Sequence, residues 1–171
     1  NAGTGADFIA GGAGADVINL AVDQQADTIV ILAGGLGDVI TGFESGTNGS
    51  DVLVFANDLT LNGTQTATLS SIANNGTVGA NDSFIEITTA TAAGGADTAA
   101  EIATHLASLT VTNVDDTSSE VVMFAVNDGT DTYIWRFTED STNGVQADDL
   151  AIAAVLRGVT DIENGDLSFI V

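Results

Sequence analysis

The chain has 171 residues, a net charge of −22 and no cysteine. This charge repels nucleic acid and anionic lipid headgroups and attracts divalent cations, and the missing cysteines exclude disulfides as a source of stability. Hydrophobic residues make up 44% of the chain and alternate in short runs, which argues against a disordered chain. Abundant Gly, Asn, Asp and Thr without any proline predict many short strands joined by turns.

Two copies of a nonapeptide open the chain. Residues 11–19 read GGAGADVIN and fit the pattern G-G-x-G-x-D-x-U-x, in which U is a large aliphatic residue. Residues 2–10 read AGTGADFIA and miss only the first glycine. Because glycine permits positive φ angles, we expect each copy to turn tightly and then form a very short strand, with Ile9 or Ile18 pointing inward.

Each turn is expected to bring backbone carbonyl oxygens and one aspartate carboxylate together. Oxygen ligands suit a hard cation such as Ca²⁺, which takes six to eight of them. A strand this short is not stable alone, so metal binding and folding are expected to be one event. The candidate metal-binding residues are Gly3, Gly5, Asp7, Gly12, Gly14, Asp16, Asp27, Gly35, Asp38 and Asp51.

A weaker form of the repeat, Asp-x-aliphatic, continues at Asp27, Asp38 and Asp51. We rank Asp27 below Asp7, Asp16 and Asp38 because the loop before it lacks glycine. We interpret Asp23 and Asn19 as solvated surface groups. A glycine-rich linker is the alternative, but a linker has no reason to place an aliphatic residue two positions after each aspartate. The pattern therefore predicts a coil whose loops lengthen slowly.

These repeats resemble the calcium-binding nonapeptides of RTX (repeats-in-toxin) proteins. Residues 38–55 are also similar to the segment that closes the coil in RTX proteins secreted by type I systems, roughly D-x-I-x-x-F-x-x-G-x-D-x-I-x-L, with residues 47–49 inserted. The resemblance implies a parallel β-roll, with ions between stacked turns and Phe43 closing its end. It also implies that Asp38 and Asp51 hold the last ions, although the insertion makes the contribution of Asp51 less certain.

The last seven residues, GDLSFIV, resemble the ends of many type I-secreted substrates. In that family the transporter recognises the uncleaved carboxy-terminal region, so the resemblance implies export by a type I ABC transporter. The chain opens within a repeat, which leaves open that further repeats precede Asn1.

Beyond residue 56 the patterns predict short strands and one helix. Edge strands are expected at residues 59–61 and 67–69, and a further strand at 83–89. Asp97 is the predicted N-cap of the helix.

The helix is predicted to bury one apolar face formed by Ile102, Leu106 and Leu109, which lie at helical spacing. His105 lies beside this face. We interpret it as a boundary residue, not as a metal ligand or a base.

A hairpin is predicted over residues 121–137, with a tight turn at the sequence NDG of residues 127–129. On its return strand Tyr133, Trp135 and Phe137 share one face. Packing of this face against the helix is favoured over an exposed aromatic surface.

The carboxy-terminal part of the chain contains two further sequence patterns and one resemblance to a known domain. Residues 139–150 compare weakly with an EF-hand loop, because the twelfth position lacks the bidentate glutamate, and an acidic turn is favoured. Residues 150–159 predict a central strand, with a helix through Leu156 as the alternative. From residue 124 onward the chain resembles the bluetail domain of cyanobacterial and proteobacterial surface proteins, through a Tyr-bearing hairpin, an acidic Asn-Gly loop and an L-x-G-V strand.

No enzyme is expected. A single histidine and no cysteine leave no Ser-His-Asp or Cys-His arrangement, and the zinc protease motif H-E-x-x-H is absent. Carboxylates are numerous, but their spacing does not mark a glycosidase-like pair.

The predicted fold is mainly β: a calcium-binding parallel β-roll over residues 1–56, then a β-rich, sandwich-like domain with one helix and the secretion region over residues 57–171. The predicted function is that of a non-enzymatic extracellular calcium-binding structural protein. It would assemble with copies of itself at the surface of a Gram-negative-type bacterium, as an S-layer, filament or matrix, with no nucleic-acid partner and no membrane span.

Two other functions are retained. The chain could be the folding and secretion module of a larger RTX enzyme or adhesin. It could also be a carbohydrate-binding module that uses Tyr133, Trp135 and Arg136.

Overall fold

The structure is a computed structural model that describes residues 1–32, 37–46, 50–56, 69–79, 82–111, 121–138 and 145–170. Gly35, the inserted residues 47–49, the predicted strand at 59–61 and the start of the EF-hand comparison lie outside the described residues. The predicted strand at 67–69 lies outside them except for Leu69.

The described part is mainly β, with one α-helix and a short 3₁₀ helix at Ala147–Asp149. The helix, α1, spans Ala99–His105. The strands are β1 Phe8–Ala10, β2 Val17–Asn19, β3 Thr28–Leu32, β4 Asp38–Thr41, β5 Val52–Ala56, β6 Leu69–Ile72, β7 Thr77–Val78, β8 Phe84–Ile87, β9 Thr110–Val111, β10 Val121–Asn127, β11 Thr132–Thr138, β12 Leu150–Arg157 and β13 Leu167–Ile170.

The first five strands alternate between two sheets. Sheet I has the order β1-β3-β5-β13 and sheet II the order β2-β4-β12-β11-β10-β8-β6. All neighbours in sheet I are parallel, and so are β2 and β4 in sheet II. In sheet I, Phe8 is in register with Thr28 and Thr28 with Val52, so residues in register on neighbouring strands are 20 and 24 positions apart in the chain.

The aliphatic position of each repeat points between the two sheets, as predicted. Ile18, Ile29, Ile40 and Leu53 are all buried in one core that the two sheets share. Because side chains alternate along a strand, the neighbours of these residues point outward, and Phe8 and Val17 are each 71% exposed.

Strands from the second half of the chain extend the same two sheets. β12 pairs in parallel with β4, and β13 pairs in parallel with β5. Residues 150–157 thus form an interior strand of sheet II, as predicted, and not the alternative helix. The division of the chain at residue 56 stays a prediction, but strands from both sides of it contribute to the shared core.

A second core lies between sheet II and α1. Ile102, Leu106 and Leu109 are buried there, as expected of the apolar face, but α1 ends at His105, so Leu106 is its C-cap and Leu109 lies beyond the helix. The predicted N-cap was wrong by one residue. Thr98, not Asp97, caps the helix, because its hydroxyl accepts a hydrogen bond from the backbone N–H of Glu101.

The predicted hairpin is present as β10 and β11, paired from Val121 with Thr138 to Asn127 with Thr132. The two strands end four residues apart, and within this connection the N–H of Asp128 donates to the carbonyl of Asp131, so a tight turn is present at Gly129 and Thr130. The carboxylate of Asp128 accepts the backbone N–H groups of Thr130 and Asp131 and stabilises this turn.

The aromatic face of the hairpin lies in the second core. Tyr133 is 5% and Trp135 3% exposed, and the indole N–H donates to the carbonyl of Ala96. These two rings therefore pack toward the helix and are not displayed to solvent. No helix in the described part of the chain is long and apolar enough to cross a membrane.

Candidate metal centre

A ladder of aspartates runs along the start of sheet I. Asp7, Asp27 and Asp51 each directly precede a strand, β1, β3 and β5. The backbone N–H of Asp7 donates to Oδ1 of Asp27 at 2.8 Å, and that of Asp27 donates to Oδ1 of Asp51 at 2.9 Å. The carboxylates of Asp27 and Asp51 thus each bond the start of their own strand to the start of the preceding strand of sheet I.

A second ladder does the same in sheet II. The N–H of Asp16 donates to Oδ1 of Asp38 at 2.9 Å, and the N–H of Val39 donates to the carbonyl of Asp16. The structure therefore gathers the five candidate aspartates into two lines. Asp27, ranked from the sequence below Asp7, Asp16 and Asp38, belongs to its line as they do and is 1% exposed.

The ladders end on carboxylate oxygens without partners. Oδ2 of Asp7 and Oδ2 of Asp16 are buried atoms to which no group donates a hydrogen bond. At the other end, both oxygens of Asp51 are used, because Asp27 donates to one and the N–H of Glu44 to the other. A buried carboxylate oxygen left unpaired is costly, so the free oxygens are better candidate ligands than those of Asp51.

Burial and mutual repulsion disfavour charge within the ladders. Burial raises the pKa of Asp38 and the charge of Asp16 raises it further, although the N–H of Asp16 opposes both. Burial likewise raises the pKa of Asp51, against the N–H groups of Glu44 and Asp27. A nearby cation would favour the charged form of each carboxyl.

In the turns before Asp7 and Asp16, three of the four described candidate glycines have the positive φ angle expected from the sequence. Gly5, Gly12 and Gly14 have φ angles of 110°, 105° and 97°. Gly3 lies in the turn without a positive φ.

Three further acidic residues belong to this region and were not predicted. Asp23 accepts the N–H of Gly5 at 2.6 Å, and Glu44 accepts the N–H of Asp23 at 2.8 Å. Asp23 is thus not merely a solvated surface group. Asp23 lies 18 residues after Gly5 and faces its turn. This spacing in the sequence could have indicated that the two residues meet.

Asp166 is the third of these residues. It directly precedes β13, is 1% exposed, and accepts hydrogen bonds from the Ser45 hydroxyl at 2.7 Å and from the N–H of Glu163 at 2.8 Å. A glycine with positive φ, Gly165, precedes it. The Gly-Asp-aliphatic pattern at residues 165–167 could have indicated that a further strand of sheet I, again preceded by an aspartate, follows Asp166.

Among the described residues no three His, Cys, Asp or Glu side chains converge into one cluster. A site of the predicted kind contains fewer such side chains, because backbone carbonyls supply most of its oxygens. The carboxylates and turn carbonyls of this region are oxygen donors of the type that a hard cation takes.

His105, interpreted from the sequence as a boundary residue, is half-buried, and its ring Nε2 lies 2.8 Å from the carbonyl of Thr89. This contact ties α1 to the loop after β8.

The fold and the candidate site define a mainly β protein with two lines of aspartates at the starts of its strands. Comparison with protein-family models, with curated proteins and with solved structures finds no match to this chain.

Proposed function

We propose that this protein is a calcium-binding structural protein and that residues 1–56 form a parallel β-roll. The first five strands alternate between two sheets and pair in parallel with one another, three positive-φ glycines lie in the first two turns, and an aspartate lies at or just before the start of each strand; these features support the roll.

One observation carries the proposal: the unpartnered Oδ2 atoms of Asp7 and Asp16. They would hold the ion together with carbonyl oxygens of the turns at residues 3–6 and 12–15. Bound Ca²⁺ supplies positive charge between carboxylates that otherwise repel each other. The donor set is entirely oxygen, as this cation requires.

Binding of this kind stabilises the folded state by mass action. A ligand present at 100 times its Kd contributes about 2.7 kcal/mol for each site that exists only in the folded state. Because calcium is scarce inside cells and abundant outside them, the roll would fold after export. A type I transporter, an extracellular location and assembly with copies of the chain at the cell surface belong to the same proposal.

Calorimetric calcium titration of three proteins tests the ligand assignment. We expect Asp16→Ala to weaken calcium binding at least tenfold relative to wild type, since it removes the carboxylate of one ladder residue, including its unpartnered oxygen. Asp148→Ala removes an exposed carboxylate of the 3₁₀ helix and is expected to leave binding unchanged. Equal loss in both variants would show that general acidity, and not the ladder, binds the ion.

A further inference from the structure

We infer that Asn164 is a site of spontaneous covalent modification, at which the backbone nitrogen of Gly165 attacks the side-chain amide and converts the asparagine to aspartate and isoaspartate. This reaction is independent of the proposed calcium binding. The inference rests on the turn that leads into β13 and on a second Asn-Gly pair that the fold protects.

Asn164 and Gly165 occupy the middle of a β-turn over residues 163–166. The N–H of Asp166 donates to the carbonyl of Glu163 at 3.1 Å, and the N–H of Glu163 donates to Oδ2 of Asp166 at 2.8 Å. In such a turn the peptide between the two middle residues takes no part in the closing hydrogen bond. The N–H of Gly165 belongs to this peptide, and no group among the described residues accepts it.

The two reacting groups are accessible to each other. Both Asn164 and Gly165 are exposed. Gly165 has a φ angle of 123°, and the third position of a turn with positive φ favours glycine. Apart from its chain neighbours, a Cβ added to Gly165 would meet no atom within 4 Å. The side-chain amide of Asn164 can therefore reach the Gly165 nitrogen without obstruction.

The reaction needs only water as a co-reactant. The Gly165 nitrogen loses its proton and forms a bond to Cγ of Asn164, while the bond from Cγ to Nδ2 breaks and the amide group leaves with a proton as ammonia. The product is a cyclic imide. Water then opens the ring at one of its two carbonyls. Cleavage of the bond from the nitrogen to Cγ leaves aspartate, and cleavage of the bond to the main-chain carbonyl carbon leaves isoaspartate.

A second Asn-Gly pair, at residues 75–76, lies in the turn between β6 and β7 and is protected. Asn75 is exposed, as Asn164 is. Here the glycine is the last residue of the turn, so the N–H of Gly76 closes it and donates to the carbonyl of Ala73 at 2.8 Å. A Cβ on Gly76 would lie 3.0 Å from the same carbonyl oxygen. Because this nitrogen is both bonded and closely packed, we expect it to attack slowly.

The Asp-Gly pair at residues 128–129 is capable of the same ring closure, with water as the leaving group, but its carboxylate is held. Oδ1 of Asp128 accepts the N–H groups of Thr130 and Asp131, and Oδ2 accepts that of Gly94. Rotation of the side chain toward the next nitrogen would break these bonds. Of the Asn-Gly and Asp-Gly pairs in the described part of the chain, the fold therefore leaves only residues 164–165 open to reaction.

The isoaspartyl product would alter the turn that positions Asp166. It places one side-chain carbon in the main chain between Glu163 and Gly165, and it adds a carboxylate beside those of Glu163 and Asp166. Asp166 is 1% exposed and accepts the hydroxyl of Ser45 at 2.7 Å. Since β13 begins directly after it and pairs with β5, we expect the conversion to weaken the attachment of β13 to sheet I.

Peptide mass spectrometry of the full chain, aged in calcium buffer and then digested with an acid-stable protease at low pH, tests the inference. In the native protein we expect conversion at Asn164 to be at least tenfold faster than at Asn75. The rate at Asn164 should rise with pH, because the Gly165 nitrogen must lose a proton. In denaturant, where neither turn exists, the two sites should react at similar rates.

The matched variant is Asn164→Gln, because the longer side chain closes a ring far more slowly. Ageing should lower the denaturant midpoint of wild type more than that of Asn164→Gln, and equal losses would overturn the effect on β13. Equal rates at Asn164 and Asn75 in the native protein overturn the modification site itself. A rate difference that persists in denaturant also overturns it, since the local sequence and not the turn would then be the cause.

Discussion

At the residue scale, the number of hydrogen-bond donors distinguishes two kinds of buried aspartate. Asp128 accepts the backbone N–H groups of Thr130, Asp131 and Gly94 at 2.9 to 3.0 Å. Asp7 and Asp16 each keep one oxygen without any donor. Asp128 therefore holds loop segments of the folded chain together, whereas Asp7 and Asp16 each have an oxygen that remains able to bind a ligand.

Replacement of Asp128 by Asn should cost about 2 kcal/mol of stability, because a buried acceptor bonded to several N–H groups loses its charge and one accepting oxygen. Denaturant unfolding of Asp128→Asn, measured beside wild type in the same calcium buffer, checks this value. Asp148→Asn, at an exposed position, is the control and should unfold as wild type does.

The cost of Asp128→Asn should also depend on pH. Burial acts to raise the pKa of Asp128, but the N–H groups of Asp131, Gly94 and Thr130 outweigh it and hold the pKa below the usual 3.8. A carboxyl with a lowered folded-state pKa contributes stability above its unfolded pKa, and this is lost as the pH falls through the folded pKa. The difference between variant and wild type should shrink below pH 3.8. A constant difference would contradict the assignment.

The sequence was sufficient to find residues whose partners lie in the adjacent repeat. The positions of Asp7 and Asp16 between a turn and a strand could be predicted, because the nonapeptide pattern contains both the glycines of the turn and the aliphatic residue of the strand. Asp166 could not be placed in the same way, since its partner Ser45 is 121 residues away in the chain. Thr98 was missed although Glu101 follows it by three residues, which is the spacing of a capping box.

At the element scale, α1 is short, and its position depends on one buried face. Ile102 and Leu106 are fully buried in the second core, which also contains Trp135. A seven-residue helix has little stability alone. Its packing on sheet II therefore determines whether it forms.

Ile102→Ala should destabilise the protein by about 2–4 kcal/mol, the usual cost of such a cavity. The fluorescence of Trp135 reports on the same core and provides the measurement. Thr104→Ala, on the exposed side of α1, should cost less than about 1 kcal/mol. Similar losses in the two variants would mean that the helix face has been assigned wrongly.

Strand order was the part of the fold that local patterns could not predict. The hairpin of β10 and β11 follows from adjacent residues, whereas the pairing of β12 with β4 and of β13 with β5 joins distant segments. Both distant pairings are parallel, and no turn sequence specifies them. They are selected by which aliphatic faces can be buried together.

At the scale of the whole molecule, sheet II links one of the two aspartate ladders, that of Asp16 and Asp38, to the second core. β4 begins at Asp38 and pairs with β12, and β12 pairs with β11, which carries Trp135. Removal of calcium should therefore change the environment of Trp135, although the ladders lie on other strands. Trp135 fluorescence during chelation checks this coupling, and an unchanged spectrum would show that the roll unfolds independently.

The most direct test of the central claim is calcium titration of chelated wild-type protein, followed by far-ultraviolet circular dichroism. The claim predicts a saturable gain of β signal, because carboxylates that repel each other in a chain of net charge −22 are joined by the ion as the turns stack. A protein that shows its full β signal in chelator, and no change when calcium is added, would contradict it.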